Sequence, residues 1–326
     1  MAPIRRILVA IKDPWAKQLP SVDKAVQLAR ALKAQLVLFH AISDPVSVDP
    51  VSLADESLAQ FELAGSSRYR QRLEQLAKRI RRGVRVTTAV EWDFPVHEAI
   101  IRAAARFSTD LIVTECHQGR HAAPWLLRFT DWELLRNSPN PVLIVKSHRP
   151  YKSPKLLAAI DPSHAFAKPA KLDEQILRLG TKLSGALRGA LHAVYAYSPL
   201  PVGVAPSKLS TPDGIVEVQA RAAAHARAVV APGLAAARIS RTRRHILDGN
   251  PADIIVDVAQ QIDADLVVMG CNSRSGLARI FIGNTAERAL DRVTCDVLVV
   301  KPRRFRDRVA RVSRGARLVA PPLSVP

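Results

Sequence analysis

Cysteine is scarce. The 326 residues hold three, Cys116, Cys271 and Cys295. An odd, scattered set cannot build a disulfide framework and points to a reducing, cytoplasmic compartment. Long apolar runs are missing too. None approaches the roughly 18 residues that cross a bilayer, so no transmembrane segment is expected. The opening MAPIRRILVAIKD lacks the extended apolar core and small-residue cleavage site of a signal peptide, and reads as a strand entered at once. Acidic residues are few: 29 Asp and Glu against 48 Lys and Arg, a net charge of +19. That excess invites a nucleic-acid reading. Yet the basic clusters at 78–85 and 238–244 carry no interleaved aromatics, as a single-strand binder would need. Helix-turn-helix, zinc-finger and RRM signatures are absent as well. A specific nucleic-acid partner is therefore not expected. A solvated, arginine-biased surface with weak nonspecific attraction to anions is. The chain also shows no Ser-His-Asp order, no paired catalytic carboxylates and no HExxH, so nothing marks a dedicated enzyme.

What is present is a repeat. Asp110-Leu-Ile-Val-Thr returns as Asp265-Leu-Val-Val-Met, 155 residues on. Asn140-Pro-Val-Leu-Ile-Val-Lys returns at the same offset as Cys295-Asp-Val-Leu-Val-Val-Lys. Ile7-Leu-Val-Ala-Ile-Lys-Asp has its counterpart in Leu156-Leu-Ala-Ala-Ile-Asp. Phe94-Pro95 and Asn250-Pro251 each open a helical pattern. Two copies of one domain, 1–150 and 151–302, account for all of this, and a basic tail follows at 303–326. The tail alternates basic and apolar residues. A disordered, solvated extension is expected there, with membrane-surface or nucleic-acid contact as the other reading.

Each copy alternates strand and helix. In the second, short apolar runs at 155–161, 189–195, 265–269 and 296–300 read as strands, and 238–247 as a more polar strand nearer the edge. Ile176, Leu179, Leu183 and Leu187 have helical spacing, and 216–230 is Ala-rich and helical. Asn250 caps and Pro251 starts the next helix. In the first copy Tyr69, Leu73, Leu76 and Ile80 form one apolar stripe. This order argues for an α/β fold, a parallel sheet covered on both faces, with ligands beyond the carboxyl strand ends at the switch in strand order.

On that rim of the second copy lies MGCNSRSGLARIFIGNTAER, residues 269–288. Gly270 ends a strand, a basic loop with Arg274 and Arg279 follows, and Gly283-Asn284-Thr285 opens a helix. A helix N-terminus offers unbonded N–H groups and the positive dipole end, a ready anion site. It is not a Walker A motif, which needs Gly-Lys-Ser/Thr, nor GxGxxG. The other reading gives the glycines to tight turns alone.

The stretch resembles the G-x2-G-x9-G-[ST] loop of the universal stress protein family. Gly270, Gly276 and Gly283 fall where that family commonly has glycine, while Ser273 and Asn284 depart from the pattern. All but the last twenty or so residues resemble its tandem members, including the segment Phe129-Thr-Asp-Trp-Glu-Leu-Leu-Arg. The resemblance implies two Rossmann-like domains, each a five-stranded parallel sheet with helices on both faces, paired within the chain through their last strands. It implies a stress-response binding protein with ATP or another adenine nucleotide in the second domain. Matched residue by residue, Asp161 meets the adenosine side, Ala193 and Val194 the adenine edge, and Gly270, Ser273, Gly283, Asn284 and Thr285 the phosphates. In the first copy the corresponding glycine positions hold Glu115, Gln118, His121 and Arg128, so usual ATP binding is not expected there.

Three alternatives stay open. One is an apolar or lipid-like ligand, wrapped by the Ala-rich helix and its Pro-rich loop or lined by Trp125 and its neighbours. Another is weak nucleotide hydrolysis. The third is a metal at Cys116, His117 and His121, against which stand the missing second Cys pair and the plainer reading as polar loop residues. Trp92 and Trp132 are expected in a core or interface, and His192 and His245 as satisfied strand histidines.

Overall fold

The computed structural model describes residues 3–44, 46–47, 58–116, 124–162, 171–199, 211–271, 284–302, 305, 309–316 and 318–319. For 46–47, 58–62, 124–129, 284 and 318–319 it describes the backbone alone. The chain divides into two compact units. One comprises 2–150 with 306–326, the other 151–305.

In the N-terminal unit the elements run β1 (Arg6–Ala10), α1 (Pro20–Leu32), β2 (Gln35–Ile42), β3 (Val46–Ser47), α2 (Leu58–Ile80), β4 (Val86–Trp92), α3 (Val96–Arg106), β5 (Leu111–Glu115), α4 (Pro124–Asn137) and β6 (Val142–Val145). Five strands form a parallel sheet in the order β4-β2-β1-β5-β6. Ile7, Leu8, Val9, Leu36 and Ile112 are wholly buried, as strands covered on both faces require. The stripe on α2 faces inward through Leu73 and Leu76.

The C-terminal unit repeats the plan with β7 (Lys155–Ala159), α5 (Leu172–Ala186), β8 (Ala190–Tyr197), α6 (Pro212–Ala236), β9 (Arg244–Asp248), α7 (Pro251–Gln261), β10 (Leu266–Gly270), α8 (Asn284–Arg292) and β11 (Asp296–Val300). Its parallel order is β9-β8-β7-β10-β11. The Asn250 side chain accepts from Ala252 N at 2.9 Å, and Pro251 is the first residue of α7, as expected from sequence. The strand expected at 238–247 is shorter. Arg238 turns the chain with φ of 54°, a 3₁₀ turn occupies Arg241–Arg243, and β9 follows at the sheet's edge. Right-handed crossovers put α1 with α2, and α5 with α6, on one face of each sheet, and the remaining pair on the other.

Of the tail, the described residues from 309 onward meet the N-terminal unit. A short strand, β12 (Leu318–Val319), pairs in parallel with β3. Arg314 N donates to Asp93 Oδ1 at 3.0 Å, and Arg102 donates to the Ala310 carbonyl at 3.2 Å. Asp93 and Arg102 are themselves a buried ion pair at 2.7 Å. Burial leaves that pair with hydrogen-bonding capacity to fill, and the tail backbone fills part of it.

Candidate functional site

In both sheets the strand order reverses beside the first strand, where outgoing loops diverge and leave a crevice at the carboxyl ends. In the C-terminal unit this lies between β7 and β10, which pair from Leu156↔Leu266 to Ala159↔Met269. Beyond β7, Ile160 is buried and Asp161 exposed. Asp161 N donates to Asp173 Oδ1 at 3.2 Å, tying the strand exit to the first turn of α5. Gly270 is the last residue of β10, Asn284 the first of α8, and Thr285 stands exposed in that first turn. Asp161, Gly270 and the start of α8 thus share one rim. Ser273, Gly276, Gly283 and the Asn284 side chain lie outside the described residues. Ala193 and Val194 lie inside β8, which runs on to Tyr197 where the sequence pattern ends the strand at 195. They lie level with the exit of β7, and Val194 O accepts from Ile160 N at 3.0 Å. Their side chains are buried, so backbone is what they can offer.

Gly270 has a packing reason of its own. A Cβ there would lie 2.7 Å from Leu172 Cδ2 and 3.1 Å from Ile176 Cδ1, both on α5. In the N-terminal unit the matching residue is Glu115, and Ile176 is matched by Ser21. Glu115 Oε2 accepts from Ser21 Oγ at 3.4 Å. The smaller, polar residue on the helix admits the larger, acidic one on the strand. Burial raises the pKa of Glu115, against the opposing pull of Lys12 and Ser21.

The N-terminal crevice holds features that the sequence reading missed. A cavity of about 280 Å³ lies beyond β1, β2 and β5, and Asp13, Trp15, Phe39, His40, Tyr69 and Thr114 are among its walls. His40 stacks on Tyr69 with centroids 4.8 Å apart, and Trp15 meets Tyr69 edge-on at 4.9 Å. His40 Nδ1 lies 2.8 Å from the Ile11 carbonyl, which only accepts, so Nδ1 carries the proton. Burial lowers the pKa of His40, against the Ile11 carbonyl, Asp44 and Asp13. Lys12 Nζ bridges both oxygens of Asp131, at 2.8 and 3.0 Å. Thr114 is 1% exposed, and among the described residues its hydroxyl meets no hydrogen-bond partner. Trp15 was signalled by its place just after Asp13-Pro14 on the rim. Tyr69 was visible only as one member of an apolar stripe.

Of the metal candidates, Cys116 is half-buried and His117 and His121 lie outside the described residues. Trp92 closes on α2, where a Cβ at Gly65 would come within 2.9 Å of its ring. Trp132 is half-buried, and the Trp125 side chain lies outside the described residues. His192 Nδ1 and His245 Nε2 face each other at 3.1 Å across β8 and β9. The three cysteines form no disulfide. Among the described residues no helix is long and apolar enough to cross a membrane.

The comparisons with known proteins agree with this architecture. The universal stress protein family is matched twice, over residues 3–146 and 155–301. Universal stress protein E of Escherichia coli (strain K12) is 30% identical over 308 residues, 94% of this chain and 96% of that one. A functionally unknown protein from Pseudomonas aeruginosa PAO1 superposes with a TM-score of 0.70 at 27% identity, covering 93% of this chain and 94% of that one. A universal stress protein from Archaeoglobus fulgidus DSM 4304 reaches 0.59 at 17% identity over 90% and 96%, a likeness of fold alone.

Proposed function

Because the chain belongs to the universal stress protein family, with two of its domains in tandem, we propose that it is a stress-response binding protein whose C-terminal unit takes ATP. In this reading the adenosine side meets Asp161 and the backbone of Ala193 and Val194. The phosphates meet Gly270, Ser273, Gly283 and the first turn of α8 with Asn284 and Thr285, where the helix N-terminus favours anions. Ligand sensing is its role, with at most slow turnover.

The observation that carries the choice of unit is Glu115 standing where the other unit has Gly270. A carboxylate at that exit, with Asp13 and Asp44 nearby on the cavity wall and the Lys12 cation already held by Asp131, opposes a polyphosphate. Titration of ATP into the full chain, followed by calorimetry, tests the reading. One nucleotide per chain is expected. Gly283→Asp, which sets a negative charge at the phosphate position, should abolish the binding and Asp13→Asn should leave it. No heat at millimolar ATP would sink the nucleotide reading.

A second reading is favoured by the aromatic cavity of the N-terminal unit, which suits an apolar ligand with one polar group to meet the Thr114 hydroxyl. Mass spectrometry of what the purified protein carries separates the two: a nucleotide supports the first, an acyl or other apolar compound the second.

A further inference from the structure

Cys271 is the first residue after β10 and Lys301 the first after β11. The strands run parallel with Gly270 opposite Val300, and Cys271 N donates to Val300 O at 2.9 Å. This register sets the two side chains side by side. Lys301 Nζ lies 3.1 Å from Cys271 Sγ. Cys271 is wholly buried and Lys301 is 4% exposed. The lysine nitrogen also sits 4.6 Å from the centre of the Phe305 ring.

We propose that Cys271 and Lys301 are a peroxide-responsive pair, in which oxidation of the thiol joins Sγ covalently to Nζ.

Three observations support it. The first is the contact distance, within which the two atoms can bond after a small movement. The second is the protonation state. Burial lowers the pKa of Lys301, opposed by the neighbouring Cys271 sulfur, and a lowered amine pKa raises the share of neutral nucleophile. A cation beside a thiol conversely favours the thiolate. Moving one proton between the partners therefore prepares either of them. The third is repetition. At the same offset of 155 residues, Cys116 follows β5 and Lys146 follows β6, and Cys116 N donates to Val145 O at 2.7 Å. The two residue types recur at the same two strand exits.

The chemistry balances with hydrogen peroxide as oxidant. The thiolate attacks one peroxide oxygen, the O–O bond breaks, and hydroxide leaves with a proton as water. That gives a sulfenic acid. The neutral amine of Lys301 then attacks sulfur. The S–N bond forms, the S–O bond breaks, and the departing hydroxide takes an amine proton as a second water. One thiol, one amine and one peroxide become one sulfenamide and two waters. Sulfur is oxidised by two electrons and peroxide is reduced. Peroxide is neutral and close to water in size, so local opening at the strand ends suffices to admit it.

The test uses the full chain. Protein treated with peroxide is denatured in an alkylating agent, digested and analysed by mass spectrometry. A linked pair of peptides carrying Cys271 and Lys301 is expected, lighter by two hydrogens than the separate pair. Dithiothreitol should split it. Cys271→Ser and Lys301→Arg should lack it, and in Lys301→Arg, which keeps the charge, Cys271 should instead proceed to sulfinic acid. The proposal is overturned if Cys271 in the unmodified sequence ends as sulfinic acid without a linked peptide. It is overturned equally if Cys271 stays reduced after Cys295 has reacted. The linked peptide is read in the natural sequence, so a variant that fails to fold does not obscure the result.

Discussion

At the scale of single residues, one position separates the two units. Gly270 is pressed by Leu172 and Ile176, whereas Glu115 reaches a serine at the place of Ile176. The absence of a side chain at Gly270 therefore has a cause that needs no ligand. Gly270→Ala must push Leu172, which is itself 1% exposed, and overpacking of this kind costs about 1–3 kcal/mol. Urea unfolding of the C-terminal unit should show that loss, and adding Ile176→Val should recover part of it. A loss below about 0.5 kcal/mol would mean that α5 yields freely and that packing is not what excludes a side chain there.

At the scale of elements, the pairing of β8 with β9 brings two imidazoles together. The pKa of His192 falls from 6.5 to about 4, first through burial and then through His245, Arg243 and Lys155. Burial lowers that of His245 as well. The sign follows from proton uptake. Between pH 6.5 and 4 the unfolded chain binds a proton at His192 that the folded chain refuses. The stability contributed by the neutral form is whole above 6.5 and drains away as pH falls toward 4. Thermal melts across that window should fall more steeply for the natural sequence than for His192→Gln. Parallel slopes would place the acid sensitivity elsewhere.

Strand order and type were legible at this scale. Runs such as Leu111–Glu115 and Asp296–Val300 are apolar on both faces, which suits a buried parallel strand. The rim residue Asp161 was legible because it closes the apolar run that begins at Lys155, whereas the register puts Lys12 at the matching place in the other unit. The position of Ala193 and Val194 was not, since where β8 ends is decided by pairing with β9 and not by local preference. Nor was the aromatic cavity legible, because Trp15, His40 and Tyr69 are far apart in sequence and meet only through the crossovers. The tail strand escaped for a simpler reason. Two residues of backbone pairing leave no periodicity to read.

At the scale of the molecule, the basic tail is part of a fold. Arg314 N donates to Asp93, Arg102 reaches the Ala310 carbonyl, and the Arg314 guanidinium lies 3.0 Å from Glu98. Removing 309–326 leaves Asp93 and Arg102 paired but strips these three contacts with charged groups, a loss of about 2 kcal/mol or more. Hydrogen exchange should then speed up in α3, which carries Glu98 and Arg102, and leave β10 and β11 unchanged. Equal protection of α3 in both forms would show that the tail adds nothing to that unit.

That contact bears on synthesis. Synthesis runs from the amino end, so Ala310 and Arg314, which bond to Arg102 and Asp93, emerge only after residues 151–305. Residues 151–305 have all been made by then and can already be folded. The N-terminal unit is thus finished only after the other has been made, and a chain that stalls between Phe305 and Ala310 carries it unsealed.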